Sequence, residues 1–189
     1  DAAELRLAHA HRVSLEARPA NTEGRGRVSI RDLVRNALRM RPDRIVVGEC
    51  RGGGAIDMLQ AMNTGHDGSL TTTHANSPLE ALKRVETLCL MAGIDLPSRA
   101  VREQIAGSIH LVVQQSRFSD GTRKVAAISE VIGLDDELNF EIVPIYEFVR
   151  SGTGPKGEVQ GNYRATGYLP TFLNEFIVKG LIPPGGPYL

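Results

Sequence analysis

Residues 44–78, RIVVGECRGGGAIDMLQAMNTGHDGSLTTTHANSP, set a carboxylate, Glu49, at the end of a short apolar run, and two histidines, His66 and His74, among glycines and threonines. A carboxylate so placed suits a metal-bound water, because open α/β sheets build their ligand crevices at the carboxyl ends of strands. Arg51 and the glycines at 52–54 add a charge partner and a backbone free to approach a ligand closely. The same residues fit a simple strand-end ion pair between Glu49 and Arg51, which carries little energy. His66 and His74 flank a strand-like segment, so they stand at opposite ends of it unless the chain bends. No third nitrogen, sulfur or oxygen ligand is spaced to complete a shared metal site, which sets a histidine-dependent metallohydrolase behind other readings. Taken singly, each histidine also reads as an ordinary polar residue satisfied by its surroundings.

Asp1 and Glu4 form a close acidic pair at the start of the chain. An acid there can act as general base toward water, and two solvated acids explain the pair equally. Arg31, Arg35, Arg39 and Arg41 make a basic stripe that matches phosphate or a subunit interface, or simply a solvated helix face. Neither a GxxxxGK followed by Ser or Thr nor a GxGxxG occurs, so no phosphate-cradling loop accompanies these residues.

The elements that must position them are legible in the pattern of apolar residues. Val13, Leu15 and Ala17 alternate with polar neighbours, as in a half-buried strand. Ile30, Leu33, Val34, Ala37 and Leu38 repeat at helical spacing, with Ser29 and Asp32 placed to cap and Pro42 to stop the helix. The run at 44–48 fits a strand buried on both faces. Residues 55–63 read as a helix ending at Gly65, and 68–74 as a further strand. Ser77, Pro78 and Glu80 form a capping-box start for a helix running to about Met91. Another helix is expected over 97–108, with Val101 and Ile105 facing inward. The period then changes to that of strands over 109–118, 123–134 and 140–149, with Asp120 and Gly121 in a hairpin turn. These expectations give an α/β sheet extended by antiparallel edge strands, a flexible connection over 151–162 and a short helix over 169–180.

The whole chain bounds the functional classes. Its 189 residues suffice for one domain with a real core. The 22 basic and 22 acidic side chains cancel, so no global field favours nucleic acid or an anionic membrane. Cys50 and Cys89 stand far apart without a CxxC, which fits two ordinary thiols in a reducing compartment. Neither a signal peptide nor an apolar run of the roughly 20 residues needed to span a membrane is present. A soluble, intracellular protein is expected, and the start at Asp1 reads as that of a fragment.

In order along nearly the whole chain, these stretches resemble the secretion ATPases of the type II and type IV superfamily, most closely the CpaF-type motors of Tad (Flp) pilus assembly. DAAEL resembles the end of their Asp box, RDLVRNALRMRPDRIVVGE their Walker B, and AMNTGHDGSLTTTHANSP their His box. REQIAGSIHLVVQQSRFSDGTRKV and TGYLPTFLNEF resemble their C-terminal region. The resemblance implies a three-layer, RecA-like P-loop ATPase core, here truncated before its Walker A loop. It sets that domain at residues 1–150, with 151–189 as linker and tail. It implies ATP and magnesium as cofactors. Glu4 then activates or orients water, Glu49 supports the magnesium shell, and His74 and His66 contact the phosphate end. Asp1, Arg51 and Arg41 are implied at the nucleotide or at a neighbouring subunit. In-line phosphoryl transfer asks chiefly for positioning and charge stabilisation, which this kit supplies.

The resemblance further implies a homo-hexameric ring, cytoplasmic and peripheral at the inner membrane. Such a ring works on a membrane platform protein, without nucleic acid, to drive pilin or substrate passage. Two positions depart from the pattern: Gly54 replaces a usual acid and Cys50 a usual aliphatic residue. Without a Walker A loop these residues alone are expected to be inactive. The alternative reading is a non-catalytic ring or interaction subunit that has lost ATP turnover.

Overall fold

A computed structural model describes residues 5–93 and 95–186. Asp1 and Glu4 lie outside the described residues. The chain packs as two units, residues 1–75 with 81–108 and residues 76–80 with 109–189.

In the first unit a segment without helix or strand leads into α1 (Ile30–Leu38). Ser29 and Asp32 form the expected capping box: Asp32 accepts from the Ser29 amide at 2.8 Å and Ser29 Oγ accepts from the Asp32 amide at 3.2 Å. These bonds satisfy amides that the first helical turn leaves without partners. The helix ends before Pro42, with Arg41 in a left-handed conformation at φ 54°. β1 (Val46–Val47) and β2 (Leu70–Thr71) pair in parallel, Val46 opposite Leu70 and Val47 opposite Thr71. Between them runs α2 (Gly54–Asn63), so the connection is a strand, helix, strand unit. α3 (Pro78–Leu90) and α4 (Ser98–Ser108) follow.

The core of this unit is made by Ile56, Met58, Leu59, Leu82, Val101 and Ile105, all essentially removed from water. Val101 and Ile105 face inward as their spacing predicts. Buried Glu86 on α3 accepts from Arg102 Nε at 2.8 Å and Ser98 Oγ at 2.6 Å, tying α4 to α3. Burial alone pushes its carboxyl up, but the bonds from Arg102 and Ser98 outweigh this and hold it below the ordinary range. At the start of α3, Ser77 Oγ accepts from the Glu80 amide as expected, while Glu80 returns its bond to the Asn76 amide, one residue earlier than a standard box.

The second unit is built on a four-stranded antiparallel meander in the order β3 (Leu111–Arg117), β4 (Arg123–Leu134), β5 (Phe140–Thr153) and β6 (Val159–Ala165). Gly121, at φ 82°, turns the β3–β4 hairpin where Asp-Gly was expected. α5 (Leu173–Val178) follows the sheet. Glu130, buried on β4, accepts from the Thr171 amide and hydroxyl, which anchors the segment leading into α5.

Three expectations are corrected. Residues 12–17 form no strand: among the described residues the only pairing near them is the bridge between Arg18 and Val28, and Val13 remains exposed. Alternation supplies a face, but a ladder needs a neighbouring strand. Residues 151–162 are not a loose connection but the turn and flanks of the β5–β6 hairpin, in which Thr153 pairs with Val159. Position 150 therefore falls inside β5. The antiparallel strands do not extend the parallel pair; they form a separate sheet, because successive hairpins satisfy their ladders with one another. Among the described residues no helix is long and apolar enough to cross a membrane.

Candidate functional site

The parallel pairing of β1 and β2 decides which polar residues meet. Both strands run the same way, so the residues following Val47 and Thr71 emerge at one carboxyl edge. The pairing continues beyond the strands: Thr72 Oγ1 donates to the Gly48 carbonyl at 2.6 Å, and the Cys50 amide donates to the Thr72 carbonyl at 2.8 Å. These two bonds bracket Glu49 and hold its backbone against the second strand.

The Glu49 carboxylate is engaged on both oxygens. Arg51 donates Nε at 2.7 Å and brings Nη2 to 2.6 Å, both on Oε2. His74 Nε2 stands 3.5 Å from Oε1. Glu49 is 23% exposed and His74 84% exposed, so the imidazole is open to solvent at the mouth of the site. The hydrogen bond from Arg51 holds the Glu49 carboxyl below the ordinary range. Partial burial opposes that, and the charges of Arg51, His74 and Arg84 add to it. Glu49 is therefore an ionised acceptor at neutral pH. A hard divalent cation that keeps much of its own water needs few protein oxygens, and this carboxylate fits that role. Among the described residues no group of three His, Cys, Asp or Glu side chains stands ready to hold a metal by itself.

Other residues singled out in the sequence lie elsewhere. His66 precedes β2, at its amino end, where its carbonyl accepts from the Ser69 hydroxyl at 2.7 Å. Its Nδ1 is buried without a hydrogen-bond partner among the described residues. Arg41 is exposed in the turn before β1. The structure thus brings together Glu49, Arg51 and His74, and leaves His66 and Arg41 at the amino ends of the strands.

The arginine stripe has a different use from those considered in the sequence. Asp57, buried on α2, takes Arg35 Nε at 3.1 Å on Oδ1 and has Arg31 Nε 2.7 Å from Oδ2. The Arg31 contact is close but not aligned as a hydrogen bond, so it acts through charge. Together they fasten α1 to the helix that follows the Glu49 loop. An acid inside the apolar run AIDML, with basic residues spaced by four on the preceding helix, was the signal for this clamp. Thr72 also escaped notice, because strand propensity accounts for three threonines in a row.

Residues 1–128 match the family model described as type II/IV secretion system protein. A Mycobacterium tuberculosis (strain ATCC 25618 / H37Rv) protein named for conjugal transfer is 49% identical over 129 residues, covering 68% of this chain and 36% of that protein. The conjugal transfer protein TrbB of Rhizobium radiobacter is 37% identical over 139 residues, 74% of this chain and 38% of that one. The chain therefore spans little more than a third of the length of these relatives. Among solved structures, the VirB11 ATPase from the Brucella suis type IV secretion system, in complex with sulphate, matches 53% of this chain and 31% of its own. Its TM-score is 0.50 at 33% identity, which supports a shared α/β fold. On a family match that runs through both strands, the Glu49 loop and His74, the chain belongs to the type II/IV secretion system protein family.

Proposed function

We propose that the protein to which these residues belong is an ATP-hydrolysing motor of a secretion or pilus assembly system, and that Glu49, Arg51 and His74 form part of its nucleotide site. The observation that carries this reading is the meeting of an ionised carboxylate, a guanidinium and an open imidazole at one carboxyl edge of a parallel strand pair. Ligand crevices of α/β sheets lie at such edges. In this reading the sheet is part of a RecA-like, three-layer core whose phosphate-cradling loop is contributed by further chain.

Glu49 holds and orients the water shell of magnesium. Bound magnesium supplies charge neutralisation at the phosphate oxygens. His74, exposed at the mouth, takes a hydrogen bond to the phosphate end, and Arg51 moves from Glu49 toward developing negative charge. Glu4 orients the attacking water, and Asp1 contributes to the nucleotide site. His66 and Arg41, at the other strand ends, serve contacts to a neighbouring copy in a hexameric ring. The sequence motifs favour a CpaF-type motor of Tad pilus assembly, acting from the cytoplasm on an inner-membrane platform protein.

The test is steady-state ATP hydrolysis by the full-length protein and its Glu49→Gln and His74→Ala variants. The reading expects Glu49→Gln to lower kcat by at least about a hundredfold while nucleotide binding persists. A Glu49→Gln enzyme with undiminished turnover overturns it. A wild-type protein that joins the ring but turns over no ATP identifies a non-catalytic ring subunit instead.

A further inference from the structure

Beside the Glu49 site, the first unit carries an open, solvent-facing cavity of about 790 Å³ lined by Arg18, Arg27, Arg31 and Arg51. Glu16 is the one carboxylate in its lining. Behind the walls, Asp57 meets Arg31 and Glu49 meets Arg51. Arg18 gives its Nε to the neutral carbonyl of Gly26 at 2.7 Å, and among the described residues neither Arg18 nor Arg27 forms an ion pair. Arg18 and Arg27 thus stand in the concave site without a direct salt bridge, and Arg27 acts on the Asp32 carboxylate only through charge. Among the lining glycines, a Cβ added at Gly52 would meet nothing within 4 Å, whereas one at Gly54 would stand 3.4 Å from Ile30 and 3.8 Å from the Arg31 amide nitrogen, close against α1.

We propose that this cavity binds a phosphate-bearing anion, held by Arg18 and Arg27 with Arg31 and Arg51 at its sides. Guanidinium forks match the oxygens of a phosphate in pairs, and a concave wall in which four arginines face the single carboxylate of Glu16 favours an anion. The volume is that of a site for a phosphorylated small molecule or a lipid headgroup rather than for one bare ion. Because Arg51 belongs to both sites, an anion in the cavity competes with Glu49 for its guanidinium. Occupancy of the cavity does not depend on nucleotide at Glu49, and only this link rests on the proposed function.

Calorimetric titration of the protein with pyrophosphate at constant ionic strength tests the site, with co-sedimentation on phosphatidylcholine vesicles containing phosphatidylglycerol as the second arm. With a non-hydrolysable ATP analogue filling the nucleotide site, saturable binding of one pyrophosphate is expected, weakened at least about tenfold by Arg27→Gln, by Arg18→Gln and by Gly54→Glu, and unchanged by Arg39→Gln outside the cavity. Thermal melts identify any variant that fails to fold, and three separate substitutions keep the test decisive. Vesicle binding lost in the same variants, without pyrophosphate binding, assigns the phosphate to a lipid headgroup. Failure to bind either probe, or binding that all three variants leave intact, overturns the proposal. Glu49→Gln separates the two readings: loss of ATP turnover with pyrophosphate binding retained supports both. Undiminished turnover removes the nucleotide reading alone.

Discussion

Arg51 directs both its Nε, at 2.7 Å, and its Nη2, at 2.6 Å, to a single oxygen of Glu49, Oε2, while the other oxygen faces His74. Two residues apart, the pair closes a tight charge contact across the Cys50 backbone. This contact is the main cause of the lowered Glu49 pKa. Arg51→Gln is therefore expected to return the Glu49 carboxyl toward its ordinary titration range, read as the carboxyl carbon shift by NMR. An unchanged titration midpoint in that variant contradicts the assignment. The sign is that of a depressed acid: the pair's contribution is present above the unfolded carboxyl pKa and fades as pH falls through the folded one.

Asp57 is buried among apolar neighbours, hydrogen-bonded by Arg35 and charge-paired with Arg31, whose own side chains reach solvent. Asp57→Ala removes the fastening between α1 and α2 and leaves two arginines that can still hydrate. We expect a loss of about 1–3 kcal/mol, below the full cost of an abandoned buried charge. Chemical denaturation gives the number. A change within about 0.5 kcal/mol, the range of ordinary surface substitutions, would mean that the clamp is incidental.

Asp120 has its pKa lowered to about 2, first by the bond from the Val159 amide and then by the hydroxyl and amide of Thr122. The carboxylate joins the β3–β4 turn to the start of β6. Its contribution to stability is fully present above the unfolded value of about 3.9 and disappears as pH falls toward about 2. Melting temperatures of the protein and of Asp120→Asn should therefore differ at pH 6 and converge on acidification. A difference that persists unchanged down to the acid limit refutes this account.

Cys50 and Cys89 are buried, and burial pushes their thiols up to about 11 and about 12. Thiolate is the reactive form, so both are expected to resist a thiol reagent at pH 8 until the protein unfolds. Labelling followed by mass spectrometry, with and without denaturant, decides it. Rapid modification of either residue in the native protein would place it outside the core described above.

Much of this protein was legible from its residues one segment at a time. The cap at Ser29 and Asp32, the helix faces carrying Val101 and Ile105, the Asp-Gly hairpin and the functional weight of the Glu49 stretch are local properties, set by side-chain chemistry within a few residues. What the sequence could not settle are relationships between segments. Residues 12–17 have the alternation of a strand but no partner, and 151–162 have the composition of a linker yet lie in a hairpin because β5 and β6 complete each other's hydrogen bonds. His66 and His74 look alike in sequence, separated by one short strand. Parallel pairing with β1 brings His74 to Glu49 and leaves His66 at the other end. Likewise the arginine stripe reads as an open basic face until α1 lies against α2 and Asp57 takes two of its members. Local propensity is written in the order of residues, whereas charge pairing and strand register depend on which distant segments the folded chain brings together.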